Sequence, residues 1–258
     1  MFVPDQYKEG VAFPLVLDFH GTGATPDQQS RMSEFELVAA KEGFLVATPA
    51  AKFPRRKDGR LTWNVDRIDA GVDDVEFVQT LIALLSSRYT IDPKRIYATG
   101  FSGGGRISSR LACELSESIA AIAPVAGIRF PEDCNPARPM PVITFHGKKD
   151  MINHYTHQED SADYWRMGVE EALGGWVARA SCADRYTQER VATTVSRLSY
   201  SGCEDGADIV FYRSEDAGHT WPGSPASEML TKMGLGITNS EIPATVWIWE
   251  FFESHPLN

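Results

Sequence analysis

Six short apolar runs recur along the chain, and segments of helical period fill most of the gaps between them. The runs are "FPLVLDFHG" (13–21), "FLVATPA" (44–50), "RIYATGFS" (95–102), "IAAIAPVAG" (119–127), "PVITFHG" (141–147) and "DIVFYRSED" (208–216). Near-continuous apolar runs of this length suit strands buried on both faces. Helices are expected around 33–42, over 72–89, from Ser102 through Cys113 and over 243–255. In the second of these, Asp73 or Asp74 caps Val75, Val78, Leu81, Ile82 and Leu85 at helical spacing. Strands alternating with helices mean an α/β chain, with a mostly parallel sheet and helices on both faces. Residues 151–207 interrupt the rhythm with a helix (Val169, Ala172, Leu173, Trp176, Val177) and irregular polar sequence, and read as a small excursion from the sheet, part of a cap, so that 1–258 forms one domain. The 258 residues suffice for such a core.

Charge narrows the partners. The net charge of −10 argues against nucleic acid and anionic membranes, which need a basic face. No apolar run approaches the roughly 18 residues of a membrane-spanning helix. No basic start followed by an apolar stretch marks a leader at the first residues, and an opening almost directly on the first strand is equally compatible with a leader already removed. Four cysteines at equal separations, Cys113 with Cys134 and Cys182 with Cys203, fit either two disulfides or four buried thiols. Nothing resembles a CxxC zinc or redox pattern.

Chemistry concentrates at "YATGFSGGGRISSRLAC" (97–113). Gly100, Ser102 and Gly104 match G-x-S-x-G between a strand and a helix, where a serine oxygen is presented at the carboxyl end of a sheet. By itself the pattern also describes a glycine-rich helix start with a capping serine. A serine nucleophile needs a base and an orienting acid. His219, in "EDAGHTWPG" just past the last strand, is the candidate base. His20 and His146 precede glycines at strand ends, His154 and His157 lie in a polar stretch without a third ligand, and His255 is near the end. Asp150, after "PVITFHGKK", completes the order Ser, acid, His. Glu215 and Asp216 are its rivals, while Glu204 and Asp205 read as turn residues. The Gly103 amide and the Thr22 N–H of "HGTGATP" are the candidate oxyanion donors. Trp63 and Trp221 are read as pocket walls or as core packing, Trp247 and Trp249 as packing, and Met229 and Met233 as an edge of the cleft.

Together "FHGTG", "WNVDRIDAGVDDVEFVQTLI", "YTIDPKRIYATGFSGGG", "ACELSESIAAIAPVAG" and "GHTWPG" resemble the secreted esterases grouped with feruloyl esterases and poly(3-hydroxybutyrate) depolymerases. The similarity runs from about residue 13 to about residue 253. It implies an α/β-hydrolase fold and a cofactor-free serine esterase, with Ser102, Asp150 and His219 at the family's triad positions. It also implies the pairs Cys113–Cys134 and Cys182–Cys203 and a secreted or periplasmic location. Two departures bear on substrate: Gly103 stands where asparagine is frequent, and Lys148 and Lys149 where small residues are usual. With no linker or polymer-adhering module in the sequence, the expected substrates are small or oligomeric esters such as feruloylated or acetylated plant oligosaccharides. The rivals are a polyester depolymerase, an acyltransferase, and a silent binding protein of the same fold.

Overall fold

A computed structural model describes residues 1–55, 57–67, 71–183 and 185–257. Its centre is an eight-stranded sheet. The expected runs supply β1 (Phe13–Phe19), β2 (Leu45–Ala47), β5 (Ile91–Phe101), β6 (Ile122–Val125), β7 (Val142–Gly147) and β10 (Ile209–Ser214). In space these six lie side by side in the order β2-β1-β5-β6-β7-β10, and every neighbouring pair is parallel.

Alternation along each strand divides the core in two. Leu15, Leu17 and Phe19 of β1 and Ile96 and Ala98 of β5 face α3 (Asp74–Arg88), α4 (Gly103–Glu114) and α5 (Val169–Arg179). Val16 of β1 and Tyr97 of β5 face α2 (Phe35–Glu42) and α7 (Ala244–Glu253). On that second side rings carry the packing: Phe44 stacks on Trp249 at 3.9 Å and Tyr97 on Phe252 at 4.7 Å. Asp73 caps α3, accepting from the amides of Val75 and Glu76. The first helical segment is two helices, because Glu34 adopts a left-handed φ of 53° between α1 (Pro26–Ser33) and α2.

The expected excursion is only partly one. Residues 186–200 return to the sheet as β8 (Tyr186–Arg190) and β9 (Val195–Tyr200), an antiparallel hairpin that extends the β10 edge. Every residue of β8 is exposed, so the strand carries no apolar run to announce it. The helix within 151–207 is α5, whose Val169, Ala172, Leu173 and Trp176 are buried against the sheet. A small separate hairpin, β3 (Phe53–Pro54) with β4 (Leu61–Thr62), stands beside the end of β1. Both disulfides are formed. Cys113–Cys134 ties the end of α4 to the chain before β7, and Cys182–Cys203 ties the end of α5 to the turn before β10. Each closes a short loop, a constraint of about 3 kcal/mol on the unfolded chain.

One charged group lies inside the α2–α7 side. Asp18 of β1 is fully buried and accepts from Gln29 Nε2 at 2.7 Å and Ser33 Oγ at 2.6 Å. Burial pushes its carboxyl up to about 7, against the lowering effect of those two hydrogen bonds. The unfolded chain releases this proton near 3.8 and the folded chain near 7, so the folded state binds more protons across that window and loses stability as pH rises through it. Asp18→Asn keeps an acceptor for Gln29 and removes the titration. Urea unfolding of this variant should show a smaller loss of stability between about pH 4 and about pH 8 than the parent does; equal losses would clear Asp18 of any part in it.

Candidate active site

The turn from β5 to α4 is built around one strained residue. Ser102 has φ 54° and ψ −109°, a conformation costly for a residue with a side chain. None of the glycines flanking it needs a positive φ. Their use is close approach. A Cβ on Gly100 would lie 2.4 Å from the Phe19 carbonyl oxygen, and one on Gly104 would lie 1.8 Å from the same oxygen. On the other side, a Cβ on Gly127 would reach within 2.3 Å of the Ser102 carbonyl oxygen. The start of α4 is therefore pressed backbone to backbone against the ends of β1 and β6. The Ser102 amide donates to Val125 O at 2.9 Å, which fixes the turn to β6.

Asp150 follows β7 by three residues and is buried. Its Oδ1 accepts from the amides of Ile152 and Asn153, each at 2.8 Å. Its Oδ2 accepts from His219 Nδ1 at 2.7 Å, with His146 Nε2 at 3.2 Å. Burial alone would raise this carboxyl; the charge and hydrogen bonds of His219 and His146 outweigh it and hold Asp150 well below the usual carboxylate range. With the Nδ1 proton of His219 committed to the carboxylate, Nε2 is left as the basic nitrogen. The His219 ring packs on Phe101 at 4.7 Å, immediately before Ser102, and its amide donates to Leu235 O at 2.7 Å. The rival acids are engaged elsewhere: Glu215 with Lys148 and Arg213, Asp216 with Thr194 and Ser214.

His146 is the residue sequence reasoning undervalued. A carbonyl only accepts, so the contact of Nε2 with Asn153 O at 2.9 Å places the ring proton on Nε2, between that carbonyl and Asp150. Its signal was the second "FHG", at a strand end directly before the acid. The first "FHG" has the opposite arrangement. His20 Nδ1 donates to Gly21 O at 2.8 Å while Nε2 accepts from the Ala51 amide at 3.0 Å. That pattern holds the ring neutral, and burial pushes its pKa down.

The loop after β1 completes the site. Trp63 Nε1 donates to His20 O at 2.8 Å, and its ring stands edge-on to Phe19. A Cβ on Gly103 would lie 3.1 Å from the Thr22 nitrogen, so the two amides expected as oxyanion donors are neighbours. Thr22 Oγ1 and Thr62 Oγ1 are 2.7 Å apart, and Arg106 Nη2 donates to Thr22 Oγ1 at 3.3 Å. The pocket-wall reading of the two tryptophans does not hold. Trp63 is buried as a brace for the His20–Thr22 loop, and Trp221 is fully buried, donating to Thr245 Oγ1 and packed edge-on to Phe35. Met229 and Met233 are exposed, on and just after α6 (Ser227–Lys232), which leads to the Leu235 carbonyl that holds His219. His154 Nδ1 lies 3.0 Å from Ser161 Oγ.

Comparison with known proteins identifies the family and the fold. The model of the family described as "Esterase PHB depolymerase" matches residues 5–192. Feruloyl esterase B of Piromyces equi is 28% identical over 226 residues, 84% of this chain and 41% of that protein. The bifunctional acetylxylan esterase/xylanase XynS20E of Neocallimastix patriciarum is 32% identical over 207 residues, 80% of this chain and 29% of that protein. The chain thus spans less than half the length of these relatives. Among solved structures, an acetyl xylan esterase from Aspergillus awamori superposes with a TM-score of 0.64 at 15% identity, covering 91% of this chain and 93% of that one. That likeness establishes the α/β-hydrolase fold.

Neutralising the buried acid tests its role in orienting His219. Asp150→Asn should lower kcat for p-nitrophenyl acetate by about 10³- to 10⁴-fold, because the amide stabilises the wrong His219 tautomer. Steady-state kinetics on the folded variant measures this; a loss under tenfold would assign the orienting role to another group.

Proposed function

The chain belongs to the Esterase PHB depolymerase family, and from that premise we propose that it is a serine carboxylic-ester hydrolase acting on feruloyl or acetyl esters derived from plant cell walls. The observation that carries the reading is the buried Asp150–His219 hydrogen bond set against the strained Ser102 turn. In this reading residues 1–258 act as one catalytic unit. Ser102 Oγ attacks the ester carbonyl and His219 Nε2 takes its proton, with Asp150 stabilising the imidazolium. The amides of Thr22 and Gly103 receive the negative charge that develops on the carbonyl oxygen. His219 then gives its proton to the departing alcohol, an acyl group remains on Ser102, and a water activated by the same nitrogen releases the acid.

The substrate class draws support from the feruloyl esterase and acetylxylan esterase named above. A second reading, cleavage of poly(3-hydroxybutyrate) or another polyester, is favoured by the family's description and uses the same groups. Two formed disulfides support a secreted or periplasmic location. Among the described residues no helix is long and apolar enough to cross a membrane.

A fluorophosphonate probe should label the parent at Ser102 and leave Ser102→Ala unlabelled. Turnover of methyl ferulate, acetylated xylan oligosaccharide and a soluble 3-hydroxybutyrate oligomer is then compared. Activity on the first two should exceed that on the third and fall by about 10³-fold or more in Ser102→Ala. A preference for the hydroxybutyrate oligomer would support the second reading, and labelling that survives in Ser102→Ala would remove the nucleophile from both.

A further inference from the structure

Beside the candidate oxyanion donors lies a cation whose role the proposed mechanism leaves unassigned. Arg106 sits one helical turn after Ser102, its amide donating to Ser102 O at 3.1 Å. It is 5% exposed, and among the described residues no carboxylate comes within ion-pairing distance of it. Its guanidinium lies 3.9 Å from the centre of the Tyr164 ring, and its Nε is buried without a hydrogen-bond partner. A buried charge left without a counter-charge is costly. The polar side-chain contact it does make is to Thr22 Oγ1, at 3.3 Å.

That contact constrains the Thr22 proton. A guanidinium only donates, so Arg106 occupies one lone pair of Thr22 Oγ1. Thr62 Oγ1, 2.7 Å away and buried, shares the next hydrogen bond. If Thr62 donates, both Thr22 lone pairs are filled and the Thr22 proton is free to point elsewhere. The hydroxyl stands where that proton is useful: a Cβ on Gly103 would be 2.8 Å from Thr22 Oγ1 and 3.1 Å from the Thr22 nitrogen, so hydroxyl and amide abut the Gly103 position together. A side chain at position 103 would crowd the Thr22 hydroxyl, which glycine leaves in place. A nearby cation also makes a hydroxyl a stronger donor.

We propose that the Thr22 hydroxyl is a third oxyanion donor, and that Arg106 is the positioning residue that, with Thr62, turns its proton toward the reacting carbonyl oxygen. The inference rests on the Ser102 acyl-enzyme reading. In the ground state the hydroxyl can satisfy Thr62. As negative charge builds on the substrate oxygen, the anion becomes the better acceptor and the Thr22 proton moves to it, while Thr62 donates to Thr22 in return. A donor engaged more strongly in the transition state than in the bound substrate raises kcat and leaves KM nearly unchanged.

The test is a set of variants of the whole chain assayed on p-nitrophenyl acetate, with inhibition by an alkyl trifluoromethyl ketone, whose hemiketal carries the same oxyanion. Thr22→Val keeps the backbone amide and the side-chain shape; it should lower kcat by about 30- to 100-fold with KM within about threefold, and weaken the ketone by a similar factor. Thr22→Ser should restore kcat to within about threefold of the parent. Arg106→Met should lower kcat about tenfold in the parent and less than about twofold in the Thr22→Val background, because it acts through that hydroxyl. Thr22→Ala carries the same expectation as Thr22→Val should the latter not fold. The proposal is overturned if both Thr22→Val and Thr22→Ala, or whichever of them folds, keep kcat within threefold of the parent, or if the Arg106→Met loss is equal in both backgrounds. Fluorophosphonate labelling of Ser102 separates the two levels: unchanged kinetics in a parent that labels at Ser102 overturn only the hydroxyl, whereas a parent that does not label there fails the esterase reading itself.

Discussion

The backbone contact between the start of α4 and the end of β1 governs the whole arrangement. Gly104 lies so close to the Phe19 carbonyl that no Cβ fits between them. Because the helix starts this near the sheet, Ser102 is forced into the left-handed strain of its turn, and Gly103 abuts the loop that continues from Phe19. One packing constraint thus sets the Ser102 turn and the neighbouring Gly103 and Thr22 together. The cost of the strained residue is met by the end of β6: Val125 O takes the Ser102 amide, and Gly127 leaves room for the Ser102 carbonyl.

Around that turn the same residue type is used in opposite ways. His20 is locked neutral by a carbonyl and an amide, and with Trp63 it braces the loop that carries Thr22. His146 and His219 instead share a single carboxylate that two amides also anchor. Four donors on one buried carboxyl keep it ionised, which in turn fixes the tautomer of His219. The orientation of the candidate base therefore originates in the loop after β7, some distance from the serine turn in sequence.

Much of this was legible beforehand. The six parallel strands announce themselves because strands buried on both faces must be apolar throughout, and the Ser102 turn because close backbone approach demands glycine. That Asp150, and not Glu215 or Asp216, is the carboxylate that meets His219 was legible from its place after a separate strand. The hairpin β8–β9 was not legible, since an edge strand exposed along its length has no reason to be apolar. The burial of Trp63 and Trp221 was not legible either: whether an indole faces a cleft or a core depends on partners such as His20 O and Thr245 Oγ1, distant in sequence. The grouping of Thr22, Thr62 and Arg106 joins three segments that only the packed sheet brings together.

Passage of an acyl group through Ser102 is the step on which the proposed chemistry turns. Rapid acid quench of the enzyme during turnover of a slowly deacylated ester, followed by peptide mass spectrometry, tests it directly. An adduct of the acyl mass should appear on the peptide carrying Ser102, formed as fast as the first alcohol is released. Release of alcohol at the full rate with no adduct, or with the adduct on another residue, would contradict it.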